Sequence, residues 1–265
     1  MFRKLLQISV FTAIIGTVVA CYARFIEPKR LEVTELDLAS GENPLTIAFV
    51  TDMHIGPHFT AADLVPTIRA LENLQPDIVL FGGDFISESP RYLRELEPPL
   101  TRITATARLG SWGIWGNHDV ANIKSRMEPV LERSGIHMLS NEAVQLRDDL
   151  WVVGVDDVLL GKSDLESAFA QVPDGARVIA IWHEPDRAER MVPYKPVIML
   201  SGHTHGGQVR LPGIGPLATP KLGKRFVAGK FDVEGMPLYV SRGIGMYRPP
   251  VRFNCRPELL VLRID

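Results

Sequence analysis

Leu45-Thr46-Ile47-Ala48-Phe49-Val50-Thr51-Asp52-Met53-His54 is the stretch on which the reading of this chain turns. Its first six residues are mostly apolar, as in a short buried strand. A carboxylate and an imidazole follow at once. Residues two apart in extended backbone project to the same side, so Asp52 and His54 can reach one ion together. A single histidine after a strand is more often a core hydrogen-bonder, so the weight of the pattern depends on its repetition.

It repeats four times. Asp77 to Phe81 runs into Gly83-Asp84, and Ser111 to Trp115 into Gly116-Asn117-His118-Asp119. Arg177 to Trp182 ends at His183, and Pro196 to Leu200 precedes Gly202-His203-Thr204-His205. Five of the seven histidines fall in these places, each just past the carboxyl end of an apolar run, which is the sheet edge where α/β folds build ligand sites. Helical stretches at Ala61 to Leu74 and Ile123 to Arg133 alternate with the early strands, and Leu150 to Val155 is a further strand. After Gly206 the pattern changes to strands and Gly/Pro turns, with Pro237 to Ser241 and Glu258 to Ile264 the clearest strands.

The five blocks, Asp52-x-His54, Gly83-Asp84, Gly116-Asn117-His118-Asp119, His183 and Gly202-His203-x-His205, occur in an order that resembles the calcineurin-like metallophosphoesterases. The resemblance runs from about residue 45 to the C-terminus. It implies an α/β fold, a four-layer αββα sandwich of two mixed sheets. It implies that Asp52, His54 and His205 hold one metal, that Asn117, His183 and His203 hold another, and that Asp84 bridges both. Ile26-Glu27-Pro28, the run His205-Gly206-Gly207-Gln208 and the C-terminal Arg242-Gly243-Ile244-Gly245, Arg252-Phe253 and Arg256-Pro257-Glu258 are similar to a bacterial branch. That branch contains membrane-linked phosphodiesterases and a UDP-2,3-diacylglucosamine pyrophosphatase.

The residue types suit that chemistry. Two divalent ions carry +4 and the carboxylates of Asp52 and Asp84 carry −2, so a residual +2 faces the substrate. This charge suits a phosphoryl group and an in-line displacement between ions roughly 3.5–4 Å apart. The donor set favours manganese, with zinc or iron as alternatives, over Ca²⁺ or a closed cysteine site. His118 is placed to protonate the leaving oxygen, with Asp119 expected to orient its ring. Arg242, Arg248 and Arg252 offer forked donors for phosphate, and His58 and Phe59 offer a pocket mouth, whereas His137 carries no expected role.

The 265 residues are 46% apolar and 23% charged, which is globular composition with one apolar excess at the N-terminus. Leu5 to Ala23 contains no charge, and as a helix this run is about 28 Å long, close to the thickness of a hydrocarbon core. It exceeds the apolar region of a signal peptide, which favours a retained helix. Val18-Val19-Ala20-Cys21 also fits a lipobox in which Cys21 is acylated, and the basic residues on both flanks leave orientation open. Residues 1–30 therefore read as an anchor with a polar exit at Glu27 to Arg30, and 31–265 as one catalytic domain. Cys21 and Cys255 are expected to be unpaired.

The net charge of −2 argues against nucleic acid as a partner. The leading expectation is a two-metal hydrolase of phosphodiester or pyrophosphate bonds at the cell membrane, acting on lipid-linked or nucleotide-linked substrates. A broad phosphodiesterase or phosphatase for soluble phosphoesters is the enzymatic alternative. A non-catalytic scaffold is the alternative of another class, disfavoured because no expected ligand is missing.

Overall fold

The structure is a computed structural model and describes every residue except Met1, Ser40, Glu42, Glu88, Asn122 and Asp148. Helix α1 (Phe2–Cys21) continues through a wide turn at Tyr22–Ile26 and a tight one at Glu27–Lys29. The stretch Ser9–Lys29 is long and apolar enough to cross a membrane. The first half of the body contains β1 (Glu32–Asp37), β2 (Leu45–Val50), α2 (Val65–Leu74), β3 (Ile78–Phe81), α3 (Leu93–Thr104), β4 (Gly110–Gly113), α4 (Asn117–Val120), α5 (Lys124–Arg133) and β5 (His137–Met138). The second half contains β6 (Glu142–Arg147), β7 (Leu150–Val155), α6 (Leu165–Phe169), β8 (Arg177–Trp182), β9 (Ile198–Ser201), β10 (Arg210–Leu211), β11 (Gly215–Pro216), β12 (Gly229–Val233), β13 (Met236–Val240) and β14 (Glu258–Ile264).

Two six-stranded sheets form, in the orders β1-β14-β2-β3-β4-β5 and β12-β13-β9-β8-β7-β6. Both are mixed: β2 to β5 run parallel with β14 antiparallel against β2, and β7, β8, β9 and β13 run parallel between antiparallel edges. The period-two alternation of each strand sets the layers. Ile47, Phe49, Ile78 and Leu80 meet Val152, Ile179, Ile181 and Leu200 in the core between the sheets. Their neighbours Ala48, Val50, Val79 and Phe81 pack outward on α2, α3 and α5 through Ile68, Leu71, Leu96, Leu100 and Leu131. On the far side, Val153, Val155, Ala180 and Trp182 cover α6 through Leu165 and Ala168. Strands buried on both faces carry no polar alternation, which is why they read as continuous apolar runs.

The segment Glu27 to Arg30 departs from the expected polar exit. Lys29 and Arg30 are exposed, but Glu27 is buried and accepts the Cys255 N–H, and Arg252 N–H donates to Ala23 O at 2.9 Å. The end of the apolar helix is thus fastened to the C-terminal loop. Both cysteines are free, Cys21 exposed and Cys255 buried.

Candidate active site

The carboxyl ends of β2, β3 and β4 from one sheet converge with those of β8 and β9 from the other. Asp52 and His54 follow β2, Asp84 follows β3, Asn117 opens α4, His183 follows β8, and His203 and His205 follow β9. Asp52, His54, Asp84, His203 and His205 all have φ between 47° and 69°, in the left-handed region that costs a non-glycine residue of order 1–3 kcal/mol. Such strain persists where surrounding structure imposes it. Here Gly116 and Gly202 impose close approach: a Cβ on Gly116 would lie 2.2 Å from Asp84 Oδ1, and one on Gly202 would lie 2.2 Å from Asp52 Oδ2.

Donor atoms of Asp52, His54 and His205 lie within 4.8 Å of one another, and so do those of Asp84, His183 and His203. Asp84 joins the groups. Its Oδ2 lies 3.3 Å from His54 Nε2 and 3.2 Å from His183 Nε2, while Oδ1 accepts the His118 N–H at 2.9 Å. Backbone carbonyls fix the imidazoles, since a carbonyl can only accept: His183 Nδ1 donates to Gly82 O and His203 Nε2 to Lys221 O, turning Nε2 of the first and Nδ1 of the second toward the site. Asn117 Oδ1, His183 Nε2, His205 Nδ1 and both ring nitrogens of His54 are buried without a hydrogen-bond partner. Each such atom costs about 1–3 kcal/mol, and an ion bound to the acceptor atom of each residue would offset that cost. The donors fit two divalent metals.

Electrostatics agrees with that fit. Burial alone would raise the Asp84 carboxyl, but His183 and His54 hold it well below the usual range. Burial pushes His203 and His205 down, so both are neutral, the form a metal ligand requires. His183 runs the other way: burial lowers it, but Asp84 holds its proton more tightly, and a cation must displace that proton.

Asp119 does not reach the His118 ring, which corrects its expected orienting role. Its Oδ2 accepts from Asp84 N at 2.7 Å and Gly116 N at 3.0 Å, and its Oδ1 from Phe85 N at 3.0 Å. As the third residue of α4 it caps its own helix and holds the Asp84 backbone, with both carboxylate oxygens engaged by main-chain N–H groups. Burial, with the charge on Asp84 adding to it, pushes Asp119 up to about 7. Ser87 O orients His118 instead, through Nδ1 at 3.0 Å.

A cavity of about 420 Å³ opens onto His54, Asp84, Asn117, His118, His203 and His205. Its other walls are largely apolar, from Val209, Leu217, Ala218, Pro220 and Pro249. Tyr247, which carried no motif, packs its ring 4.5 Å from His118 and 5.5 Å from His54. Gln208 holds it there, accepting from Tyr247 N and donating to Tyr247 O and Pro249 O. Arg248 lines the cavity. Arg252 does not: it is fully buried and donates to the carbonyls of Arg242, Gly243, Gly245 and Cys255. Arg242 pairs with Glu258, and Phe59 lies in the core beneath α2. Neither Arg242, His58 nor His137 lines the cavity.

Two packed mixed sheets carrying a carboxylate-bridged pair of donor groups at their shared edge define a metallophosphoesterase. The chain belongs to the calcineurin-like phosphoesterase family, whose model matches residues 45–207. It is 33% identical over 254 residues to the metallophosphoesterase YkuE of Bacillus subtilis, covering 92% of this chain and 88% of that one. It is 31% identical to the phosphodiesterase YaeI of Escherichia coli, covering 92% of each. It is 25% identical to the UDP-2,3-diacylglucosamine pyrophosphatase LpxG of Chlamydia trachomatis, covering 91% of this chain and 92% of that one. The fold also matches a solved putative 5'-nucleotidase from Staphylococcus aureus, with a TM-score of 0.50 and 13% identity, over 84% of this chain and 55% of the other.

Proposed function

We propose that the chain is a membrane-anchored two-metal hydrolase that cleaves phosphodiester or pyrophosphate bonds of lipid-linked or nucleotide-linked substrates. The observation that carries this reading is that His54 Nε2 and His183 Nε2 flank one Asp84 oxygen, while Asn117 Oδ1 and His205 Nδ1, on residues that line the same cavity, are likewise buried without a partner. In this reading Asp52, His54 and His205 hold one ion, Asn117, His183 and His203 the other, and Asp84 both, with manganese preferred and zinc or iron as alternatives. Bound divalent ions supply Lewis acidity toward a phosphoryl oxygen and make water acidic enough to attack near neutral pH.

The chain's own groups supply the rest. His118 is the general acid. Because Ser87 O can only accept, His118 Nδ1 keeps its proton, so Nε2 can donate to a leaving oxygen only in the imidazolium form. Tyr247 packs against the ring. Asp119 is a positioning residue for Asp84. Residues 1–30 are the anchor and 31–265 the catalytic domain, with α1 as a retained single-pass helix. The names of the E. coli phosphodiesterase and the chlamydial pyrophosphatase, together with the apolar α1, support the substrate class and the location.

The test assays full-length protein with Mn²⁺, Zn²⁺, Fe²⁺ and Mg²⁺ against a UDP-linked acylated sugar, phospholipids and cyclic nucleotides. The expected result is chelator-sensitive hydrolysis, fastest with Mn²⁺ and with an acylated substrate. Activity that survives complete metal removal overturns the metal assignment. Activity confined to cyclic nucleotides overturns the substrate class.

A further inference from the structure

The short ribbon of β10 and β11 is not absorbed by the catalytic chemistry. Leu211-Pro212-Gly213-Ile214-Gly215-Pro216-Leu217-Ala218 contains no polar side chain, whereas turns in water favour Asn, Asp and Ser. Ile214 is 73% exposed, more than any other large apolar side chain among the described residues, and Leu217 is 58% exposed. Single exposed apolar residues are ordinary, as at Leu109 and Leu160. Here two of them share one turn stiffened by prolines.

The root of this ribbon adjoins the end of the apolar helix. Val209 bridges to Phe253, with Arg210 N donating to Phe253 O and Phe253 N to Gln208 O, each at 2.9 Å. The next residue back, Arg252, donates its N–H to Ala23 O. Two strand-like spacings, about 10 Å, therefore separate the ribbon root from the helix exit. Phe25 and Ile26 at that exit are also exposed, at 59% and 52%, beside the exposed cations Lys29 and Arg30. Lys221 and Lys224, exposed past the other end of the ribbon, add positive charge suited to anionic headgroups. The inner side of the ribbon belongs to the catalytic cavity, which Val209, Leu217 and Ala218 line.

We propose that the ribbon 210–218 seats its apolar tip in the lipid surface beside the anchor and opens the cavity onto the bilayer. An amphiphilic phosphoester then reaches the site without leaving the membrane, its acyl chain passing over Val209, Leu217 and Pro249 and its phosphorus resting above Asp84. This inference rests on the lipid-linked reading of the function.

The test uses the full chain in vesicles of phosphatidylcholine and phosphatidylglycerol. Ile214→Trp is compared with the wild type, whose four native tryptophans set the background. Brominated acyl chains should quench the added tryptophan, and aqueous acrylamide should not. In parallel, Ile214→Asp should hydrolyse a phospholipid embedded in the vesicles about tenfold more slowly than the wild type, with an unchanged rate on bis(p-nitrophenyl) phosphate in solution. Quenching by acrylamide alone leaves the ribbon in water and overturns the proposal. Protection from both quenchers indicates a protein partner and overturns it equally. A wild type that cleaves the soluble ester and no vesicle lipid defeats the lipid-linked reading, whatever the quenching shows. Quenching by bromolipid with an undiminished vesicle rate in Ile214→Asp defeats the delivery route while leaving that reading intact.

Discussion

Asp84 is the residue on which both donor groups depend, since one oxygen stands 3.3 Å from His54 and 3.2 Å from His183. Asp84→Asn should lose both metals and more than about 100-fold in kcat/KM, measured by metal content and rate on the same sample. His118→Ala should keep two metals and lose roughly 10²- to 10⁴-fold, most for leaving groups that need a proton. The pH dependence follows from burial, which lowers the His118 pKa below its usual 6.5, Asp84 opposing. Only the imidazolium donates, and it is populated below that pKa. The ratio of wild-type to His118→Ala kcat/KM should therefore fall as pH rises through a midpoint below 6.5, and a flat ratio would show that proton donation is not its role. Asp119→Asn should act differently from His118→Ala. An amide NH₂ facing the N–H of Asp84 or Phe85 disturbs the ligand itself, so metal affinity should weaken about 10- to 100-fold with no dependence on the leaving group.

At the scale of elements, the C-terminal loop ties the turn that follows α1 to the site. Glu27 accepts the buried Cys255 N–H, and Arg252 binds the carbonyls of the loop that packs on Asp52 and Met53. A truncation beginning at Leu31 removes the segment that carries the Glu27 carboxylate and the Ala23 carbonyl and leaves the N–H groups of Cys255 and Arg252 unpaired, a loss of about 1–3 kcal/mol for each. A truncation beginning at Tyr22 keeps that segment. Thermal unfolding of the two should differ by several degrees in favour of the longer one, and equal midpoints would mean that these two contacts are dispensable. Helix α3 shows why local reading has limits: it contains Pro98 and Pro99, yet Leu96, Leu100 and Ile103 are wholly buried against the first sheet. Packing outweighs the breaker signal that the prolines carry in isolation.

Across the whole molecule, the metals contribute to folding because the unfolded chain has no preformed site. With ions at about 100 times their dissociation constant, each of the two sites adds about 2.7 kcal/mol, about 5.4 kcal/mol together. Complete chelation should thus lower the unfolding midpoint by about 10–20 °C, as calorimetry with and without chelator would show. Release should be easier at low pH, because Asp84 favours the protonated form of His183, which competes with a cation. An unfolding midpoint indifferent to chelator would mean that the buried, unpartnered donors are satisfied in some other way.

The sequence alone marked the central strands and the candidate donors, because a strand buried on both faces must be apolar throughout and polar residues can then appear only past its end, whereas the two-sheet sandwich was implied only by the family resemblance. Asp52, His54, Asp84, Asn117, His183, His203 and His205 stood out as candidates for that reason, each just past an apolar run, and their division between two ions came from the resemblance. What accepts from or donates to a neighbour was not legible. Asp119 lies next to His118 in the chain but points to the Asp84 backbone, while Ser87, 31 residues away, holds the imidazole. Tyr247 and Gln208 lie 39 residues apart and become one wall of the cavity only once the C-terminal loop has folded back. Arg252 reads as a phosphate ligand in a line of text and is a buried staple in three dimensions. Those partners are set by tertiary structure, because hydrogen bonds are made between whichever groups the packed sheets bring within about 3 Å, without regard to their order in the chain.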